Sequence, residues 1–281
     1  MSAVKTILAL SLALVLSFIL VGCGEGLPQE EIDRIIENVT SAQFDTVKMD
    51  MDMSIAVKVE GGDEPGEVTM VGGGTGAMDM ANREMQMAMN MTMDIPELGE
   101  QDMATEYYLV GGWMYTSVDI PEVGEQWMKM EITEEIWQQE SQIDRQIDFL
   151  KTAVEIKSLP NESVGGTDCY VFEVVPTMEA LGELLSQQAS PMGGMDFGEF
   201  DMTDWFKEMS IREWIAKDSY QVMKTEIGMV MQMSPADVGA TEADFEKMIM
   251  DIDMGMRFYE YNQPVSIILP EEALDAPEVP Y

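Results

Sequence analysis

The chain is 281 residues long and strongly acidic, with 15 Lys and Arg against 53 Asp and Glu and a formal net charge of −38. This charge disfavours binding to nucleic acid and to anionic membrane surfaces, whereas a protein partner with a basic face is compatible with it. The sequence has no histidine, which excludes Ser-His-Asp and Cys-His mechanisms and most zinc enzymes. No pair of carboxylates stands out in so acidic a chain, so we expect no enzyme and no cofactor.

The first 22 residues have the features of an export signal. Lys5 supplies a positive charge, and residues 7–21 form an uncharged apolar run that is short for a membrane span. The run ends in Leu20-Val21-Gly22-Cys23, which resembles the lipobox of bacterial-type lipoproteins. The resemblance implies cleavage before Cys23 and acylation of that cysteine. We therefore expect residues 23–29 to tether an extracytoplasmic domain to a membrane; without cleavage, the segment would be an N-terminal anchor helix.

The two cysteines offer no disulfide framework. Acylation of Cys23 would leave Cys169 without an intramolecular partner. Stability must then come from the core, which a chain of this length can build. No linker or change in composition divides residues 30–270, so we predict one domain and a monomer.

The domain begins with an amphipathic segment, Glu30 to Ala42, whose apolar residues have helical spacing. Residues 47–59 then alternate apolar and polar side chains, which is typical of a strand with one buried face. A second strand, Glu67 to Met80, contains the glycine-rich run 72–76. That run lacks the Lys-Ser/Thr of a phosphate-binding loop, so we interpret it as a bend or bulge in a curved sheet.

Methionine occupies every second position from Met85 to Met93. In a strand these five thioethers share one face, over roughly 26 Å of chain. The same alternation recurs over residues 223–233 and 248–258. Methionine is flexible and polarisable, so it suits a surface that adapts to variable apolar partners better than it suits a rigid core. The pattern indicates Met-faced strands of one antiparallel sheet.

The rest of the chain is predicted to contain further strands, two helices, a mobile loop and a C-terminal tail. Helices are predicted at Thr133–Leu150 and Met178–Gln188, and a mobile loop at Ala189–Asp201. Glu271 to Tyr281 contains three prolines and is expected to be a loosely ordered tail. Further strands are predicted at residues 104–110, 113–118, 127–130, 154–159, 169–175, 206–216, 220–233, 248–259 and 265–269. The result is an α+β domain with about ten or eleven strands in meander order.

Several short motifs support a comparison with a known family. They are the Cys23 lipobox, the helix before Phe44, the hairpin Tyr107-Tyr108…Gly112-Trp113-Met114-Tyr115, the stretch 164–174, Glu213-Trp214-Ile215-Ala216-Lys217-Asp218…Tyr220, and the closing Pro264-Val265…Leu269-Pro270. Their order resembles the LolA/LolB-like lipoprotein-carrier fold, in particular the LppX/LprG-type lipid-binding lipoproteins. The resemblance implies a strongly curved antiparallel half-barrel with helices covering its open side. It also implies a cavity for acyl chains or a lipidated protein.

The favoured hypothesis is therefore a membrane-anchored lipoprotein that binds a lipid or acyl chain, for lipid or lipoprotein transport or envelope maintenance. We expect Thr133–Leu150 and Ala189–Asp201 to form a movable cover, with Trp113 and Trp137 near the mouth. The candidate lining residues are Met51, Met53, Met87, Met89, Met91, Met231, Met250 and Met254.

Other interpretations stay open. The protein could be a structural or interaction lipoprotein whose core is filled by its own side chains. Met-x-Met arrays also suit Cu(I), and Met192, Met195 and Met202 are the residues to suspect. The pairs Asp50/Asp52 and Asp251/Asp253 lie on polar strand faces and do not continue as calcium loops, so we predict no metal there.

Overall fold

The computed structural model describes residues 26–61, 66–96, 98–120, 124–132, 153–176, 205–235 and 245–279. The elements in these ranges are α1 (Gln29–Ser41), β1 (Thr46–Glu60), β2 (Gly66–Asp79), β3 (Glu84–Ile95), β4 (Gly99–Val110), β5 (Trp113–Ile120), β6 (Gly124–Glu131), β7 (Ala153–Val164), β8 (Thr167–Pro176), β9 (Phe206–Ala216), β10 (Val222–Met233), β11 (Lys247–Tyr259) and α2 (Glu271–Leu274). Within these ranges, neither helix has the length and apolar character of a membrane span.

All eleven strands belong to one antiparallel sheet with the spatial order β6-β5-β4-β3-β2-β1-β11-β10-β9-β8-β7. The first and last strands, β1 and β11, are neighbours at its centre. The consecutive strands β6 and β7 are its two edges and do not pair, so the sheet is open. A sheet of this width curls because each strand is twisted relative to its neighbour. The predicted antiparallel half-barrel is confirmed.

The register gives the sheet two chemically different faces. Met53 of β1 lies between Met254 of β11 and Gly72 of β2, whereas the next residue, Ser54, lies between Asp253 and Val71. We call the face that carries Met53 the inner face and the opposite one the outer face. Because side chains alternate along a strand, the methionines of β1, β3 and β11 all fall on the inner face.

Helix α1 covers one part of the inner face. Ile32, Ile35 and Val39 are buried and share one side of the helix. They form a core cluster with Phe172, Val174, Ile211 and Ile215 of β8 and β9. Pro28 precedes the helix, and its carbonyl oxygen accepts hydrogen bonds from the amides of Glu31 and Ile32 at 2.9 and 3.1 Å. The predicted helices 133–150 and 178–188 and the loop 189–201 lie outside the described residues.

A second core cluster closes one end of the inner face, on β1 to β4 and β11. Its buried members are Val47, Met49, Met78, Met85, Leu109 and Phe258. A smaller cluster of Cys169, Val171 and Trp214 packs on the outer face of β8 and β9. Away from α1 and the end cluster, the inner face is only half-buried.

The C-terminal residues differ from the expected loose tail. Glu271–Leu274 is helical, and Ala273 and Ala276 are buried. The amide of Lys129 donates to the carbonyl of Pro277, and the amide of Val279 donates to the carbonyl of Lys129, both at 2.9 Å. Prolines lack a donor but still accept hydrogen bonds, so they do not prevent this docking. The segment thereby covers the edge of β6.

Two other strand predictions need correction. Val265–Leu269 is not part of the sheet, and the eleven observed strands correspond to the other eleven predicted ones. The connection between the strands predicted at 154–159 and 169–175 is shorter than expected and is confined to a turn at Gly165-Gly166, whose φ angles are +59° and +88°. Strand β7 continues through Pro160 with a register shift between Leu159 and Glu162. Proline is tolerated there because β7 is an edge strand.

Gly72, Gly74 and Gly76 lie on the inner face of β2, and we call them the glycine strip. Pairing of β2 with β1 and β3 runs through the strip without a register shift, so of the predicted bend or bulge the bulge is wrong. The strip instead makes room for neighbours. A Cβ atom on Gly74 would lie 2.5 Å from the Ala88 carbonyl oxygen and 2.9 Å from Cγ of Met89.

We expect Gly74→Ala to destabilise the fold by about 1–3 kcal/mol, because the new methyl group meets backbone that cannot withdraw. Gly73→Ala is the matched control. Its Cβ points to the outer face and meets only the Met51 carbonyl oxygen, at 3.3 Å. Urea denaturation of both variants measures the difference. Equal free energies of unfolding would contradict the packing role of the strip.

Candidate functional site

The candidate site is the half-buried inner face from β3 to β10, which we call the methionine face. Residues that are direct partners on neighbouring strands form rows that run across the sheet, roughly perpendicular to the strands. The rows are Met91–Gly72–Met53–Met254–Ile227, Met89–Gly74–Met51–Met256–Thr225, and Met93–Met70–Ile55–Ile252–Met229. A further row joins Val68, Val57, Met250 and Met231. The face is therefore a continuous field of flexible apolar side chains.

All eight methionines proposed as lining residues, Met51, Met53, Met87, Met89, Met91, Met231, Met250 and Met254, lie on this face and are half-buried. Met49, Met78 and Met85 lie on the same side of the sheet but belong to the buried end cluster. The structure thus separates methionines that fill the core from methionines that line an accessible surface.

The two tryptophans proposed for the mouth are not brought to this face. Trp113 follows the Gly111-Gly112 turn and pairs with Val110, which places its indole on the outer face. There the Lys129 ammonium lies 5.5 Å from the ring centroid. Trp137 lies outside the described residues. Met192, Met195 and Met202, suspected for copper, also lie outside them.

One polar group on the inner face was missed by the sequence analysis. Glu213 of β9 is only 4% exposed and lies beside Thr225, which is 1% exposed. The Thr225 hydroxyl donates a hydrogen bond of 3.0 Å to Oε2 of Glu213. Burial raises the pKa of Glu213 to about 8, and the Thr225 hydrogen bond offsets only part of that rise. The sequence does contain an indication of this buried carboxyl, because Glu213 replaces an apolar residue in the alternating pattern Ile211-x-Glu213-x-Ile215.

Tyr261 forms the other polar part of this region. Its hydroxyl donates to the Val222 carbonyl oxygen, and its ring meets Phe44 edge-on with centroids 5.3 Å apart. Burial raises the pKa of Tyr261, and the nearby Glu213 carboxyl adds to the effect. Glu213, Thr225 and Tyr261 are thus polar groups set between the α1 cluster and the end cluster.

The outer face has a different chemistry. A hollow of about 440 Å³ lies over Gly228 and Gly255 and is lined mainly by charged side chains. Lys224 and Arg212 both pair with Glu226 there. Among the described residues, no group of three His, Cys, Asp or Glu side chains could hold a metal ion. The hollow is a solvated, internally paired surface and does not suit an apolar ligand.

The buried Glu213 carboxyl makes a pH dependence testable. In the folded protein its pKa lies above the ordinary value of 4.5, so between about pH 5 and 8 the native state holds a proton that the unfolded chain has released. Its contribution is favourable at low pH and is lost as the pH rises. We expect the wild type to lose up to about 1.4 kcal/mol per pH unit more than Glu213→Gln in this window.

Denaturation at several pH values measures these slopes. Glu173→Gln, which makes the same exchange of side chain in the outer hollow, is the matched control and should keep the wild-type slope. Parallel slopes for the wild type and Glu213→Gln would show that Glu213 is not held neutral by burial.

Comparison with known proteins adds fold neighbours and a family. LprF from Mycobacterium bovis is 12% identical, with 86% of this chain and 98% of that chain covered and a TM-score of 0.44. The lipoprotein LppX from Mycobacterium tuberculosis is 12% identical, with 84% and 96% covered and a TM-score of 0.36. These values are too low to transfer a function. No curated protein matches. Residues 31–278 match the profile of DUF6612, a family of unknown function, and the chain belongs to that family.

Proposed function

We propose that the protein is a membrane-anchored extracytoplasmic lipoprotein that binds a lipid or acyl chain against the methionine face. The observation that carries the proposal is the expanse of half-buried methionine, isoleucine and valine side chains on the inner face of an open sheet whose outer face is charged over the same central strands. A large apolar surface of this kind favours a soft apolar partner over a polar metabolite.

The energetics suit an acyl chain. Each CH₂ group removed from water contributes about 0.8 kcal/mol, so ten methylenes contribute roughly 8 kcal/mol before the cost of immobilising the ligand. Useful affinity therefore needs no polar contact. Thioether side chains rotate readily, which lets one surface accept chains of different length.

The N-terminal end of the fold is compatible with anchoring. Leu27 packs against the α1 cluster, and Gly26 lies beside Ser158 of the edge strand β7. Cys23 precedes Gly26 by three residues, which span at most about 11 Å when extended. An acyl group on Cys23 would hold this edge of the domain close to the membrane. Residues 133–150 and 189–201 are the proposed cover of the bound ligand.

One observation favours a second candidate function. Cγ of Met91 lies 2.7 Å from where a Cβ atom of Gly72 would be, so methionine side chains already occupy the glycine strip. A surface filled in this way could belong to a structural or interaction lipoprotein with no ligand. The two functions differ in whether lipid displaces these side chains.

Native mass spectrometry of residues 24–281, purified gently from a membrane-containing host, distinguishes the two. The carrier function predicts an additional mass of lipid size that organic solvent releases. A polypeptide that is bare, and stays bare after incubation with lipid extract, would leave only the structural function.

A pair of adjacent substitutions tests the face itself. We expect Met53→Gln to reduce lipid binding by about tenfold, because an amide in an apolar wall costs roughly 1–3 kcal/mol when it lacks a partner. Ser54→Gln places the same side chain on the outer face and should bind lipid as the wild type does. Titration with a fluorescent fatty acid gives both affinities. Equal losses in the two variants would argue against binding on the methionine face.

A further inference from the structure

The glycine strip brings two sets of thioethers together. Met49, Met51 and Met53 of β1 lie on one side of Gly76, Gly74 and Gly72, and Met87, Met89 and Met91 of β3 lie on the other. We call these six residues the thioether cluster. Strands β1 and β3 are roughly 10 Å apart, since one strand separates them. A side chain on β2 would keep the two sets apart, but glycine leaves the space between them open.

The side chains use that space. Cγ of Met91 and Cγ of Met89 lie 2.7 and 2.9 Å from the Cβ positions of Gly72 and Gly74. From the other side, Sδ of Met49 lies 3.3 Å from the Cβ position of Gly76. Methionine side chains of β3 therefore lie beside Gly72 and Gly74, and that of Met49 from β1 lies beside Gly76, so side chains from both neighbouring strands border the glycine strip. The methionine pairs elsewhere on this face, such as Met231 with Met250, are side-by-side neighbours with no glycine beside them.

Thioether sulfur is a soft ligand that selects Cu(I) over hard cations such as calcium or magnesium. Rotation of these side chains toward the strip would bring three or four sulfurs from the two strands into such a coordination set. The flexible methionine side chain lets the sulfurs adjust around an ion. An ion can reach five of the six residues, because they are half-buried: Met51, Met53, Met87, Met89 and Met91. Met49 is only 4% exposed and bounds the site where it meets the buried end cluster.

We propose that the thioether cluster over the glycine strip is a binding site for a soft monovalent metal ion of the Cu(I) class. The net charge of −38 raises the local concentration of any cation, and the sulfurs provide the selectivity. The site shares Met51, Met53 and its three methionines of β3 with the proposed lipid-binding face, but it is tested with the metal ion alone, so either function can fail without the other.

The test is an anaerobic titration of residues 24–281 with Cu(I) kept reduced by ascorbate, in competition with a colorimetric Cu(I) chelator. The wild type should take up Cu(I), and X-ray absorption should show a first shell made of sulfur. The double variant Met89→Leu/Met91→Leu removes the two thioethers whose side chains lie beside Gly74 and Gly72. Leucine has nearly the same volume as methionine, so the packing should be preserved. We expect this double variant to bind more than about tenfold more weakly.

Met231→Leu/Met250→Leu is the matched control, because it removes two neighbouring thioethers from the same face away from the strip. It should retain the wild-type affinity. Cys169→Ser excludes the buried thiol and should also leave the affinity unchanged. Failure of the wild type to compete with the chelator would overturn the proposal. So would equal weakening in the two double variants, loss of binding in Cys169→Ser, or a first shell of oxygen.

Discussion

The whole structure depends on the register of β1 between β2 and β11. This central strand joins the first half of the sheet to the second, through Met53 paired with Gly72 on one side and Met254 on the other. A slip of one residue would turn every methionine of β1 to the outer face and bring Lys48, Asp50 and Asp52 inward. Burying those charges would cost far more than the fold can supply. The strict apolar–polar alternation is therefore what allows an open sheet of this width to have one arrangement.

The glycine strip shows how an adaptable surface is combined with a specific fold. The backbone pairing of β2 is regular, so the strip does not weaken the sheet through a bulge. The absence of side chains on the strip leaves space that the side chains of Met89 and Met91 occupy. Side chains that fill a space by rotation can leave it by rotation, and this links packing in the free protein to binding of a soft partner. The α1 cluster, whose buried residues are all branched or aromatic, and the fully buried end cluster supply the more rigid surroundings.

Much of the fold could be predicted from the sequence, because alternation over ten or more residues encodes both the strand and its buried face. Met85 to Met93 is the clearest example. Trp113 could not be placed in this way. Its partner strand ends in Tyr107-Tyr108-Leu109-Val110, in which odd and even positions are both apolar, so the sequence does not show which face is buried. Only the strand pairing shows that Leu109 faces inward and that Val110 and Trp113 face outward. The docking of Ala273 and the role of the glycine strip depend on distant partners, which local patterns do not contain. Glu213 was visible as a break in alternation, but its burial comes from packing between two clusters.

The proposed function requires the methionine face to be a ligand-binding surface and not merely core. NMR of the protein labelled with ¹³C at the methionine methyl groups, titrated with a long-chain fatty acid, tests this directly. The methyl resonances of Met53, Met91 and Met254 should shift on addition of the fatty acid. Met223, which packs against the cluster on the outer face, should not shift. Unchanged resonances on the inner face, or shifts of Met223 as large as those of Met53, would contradict the claim.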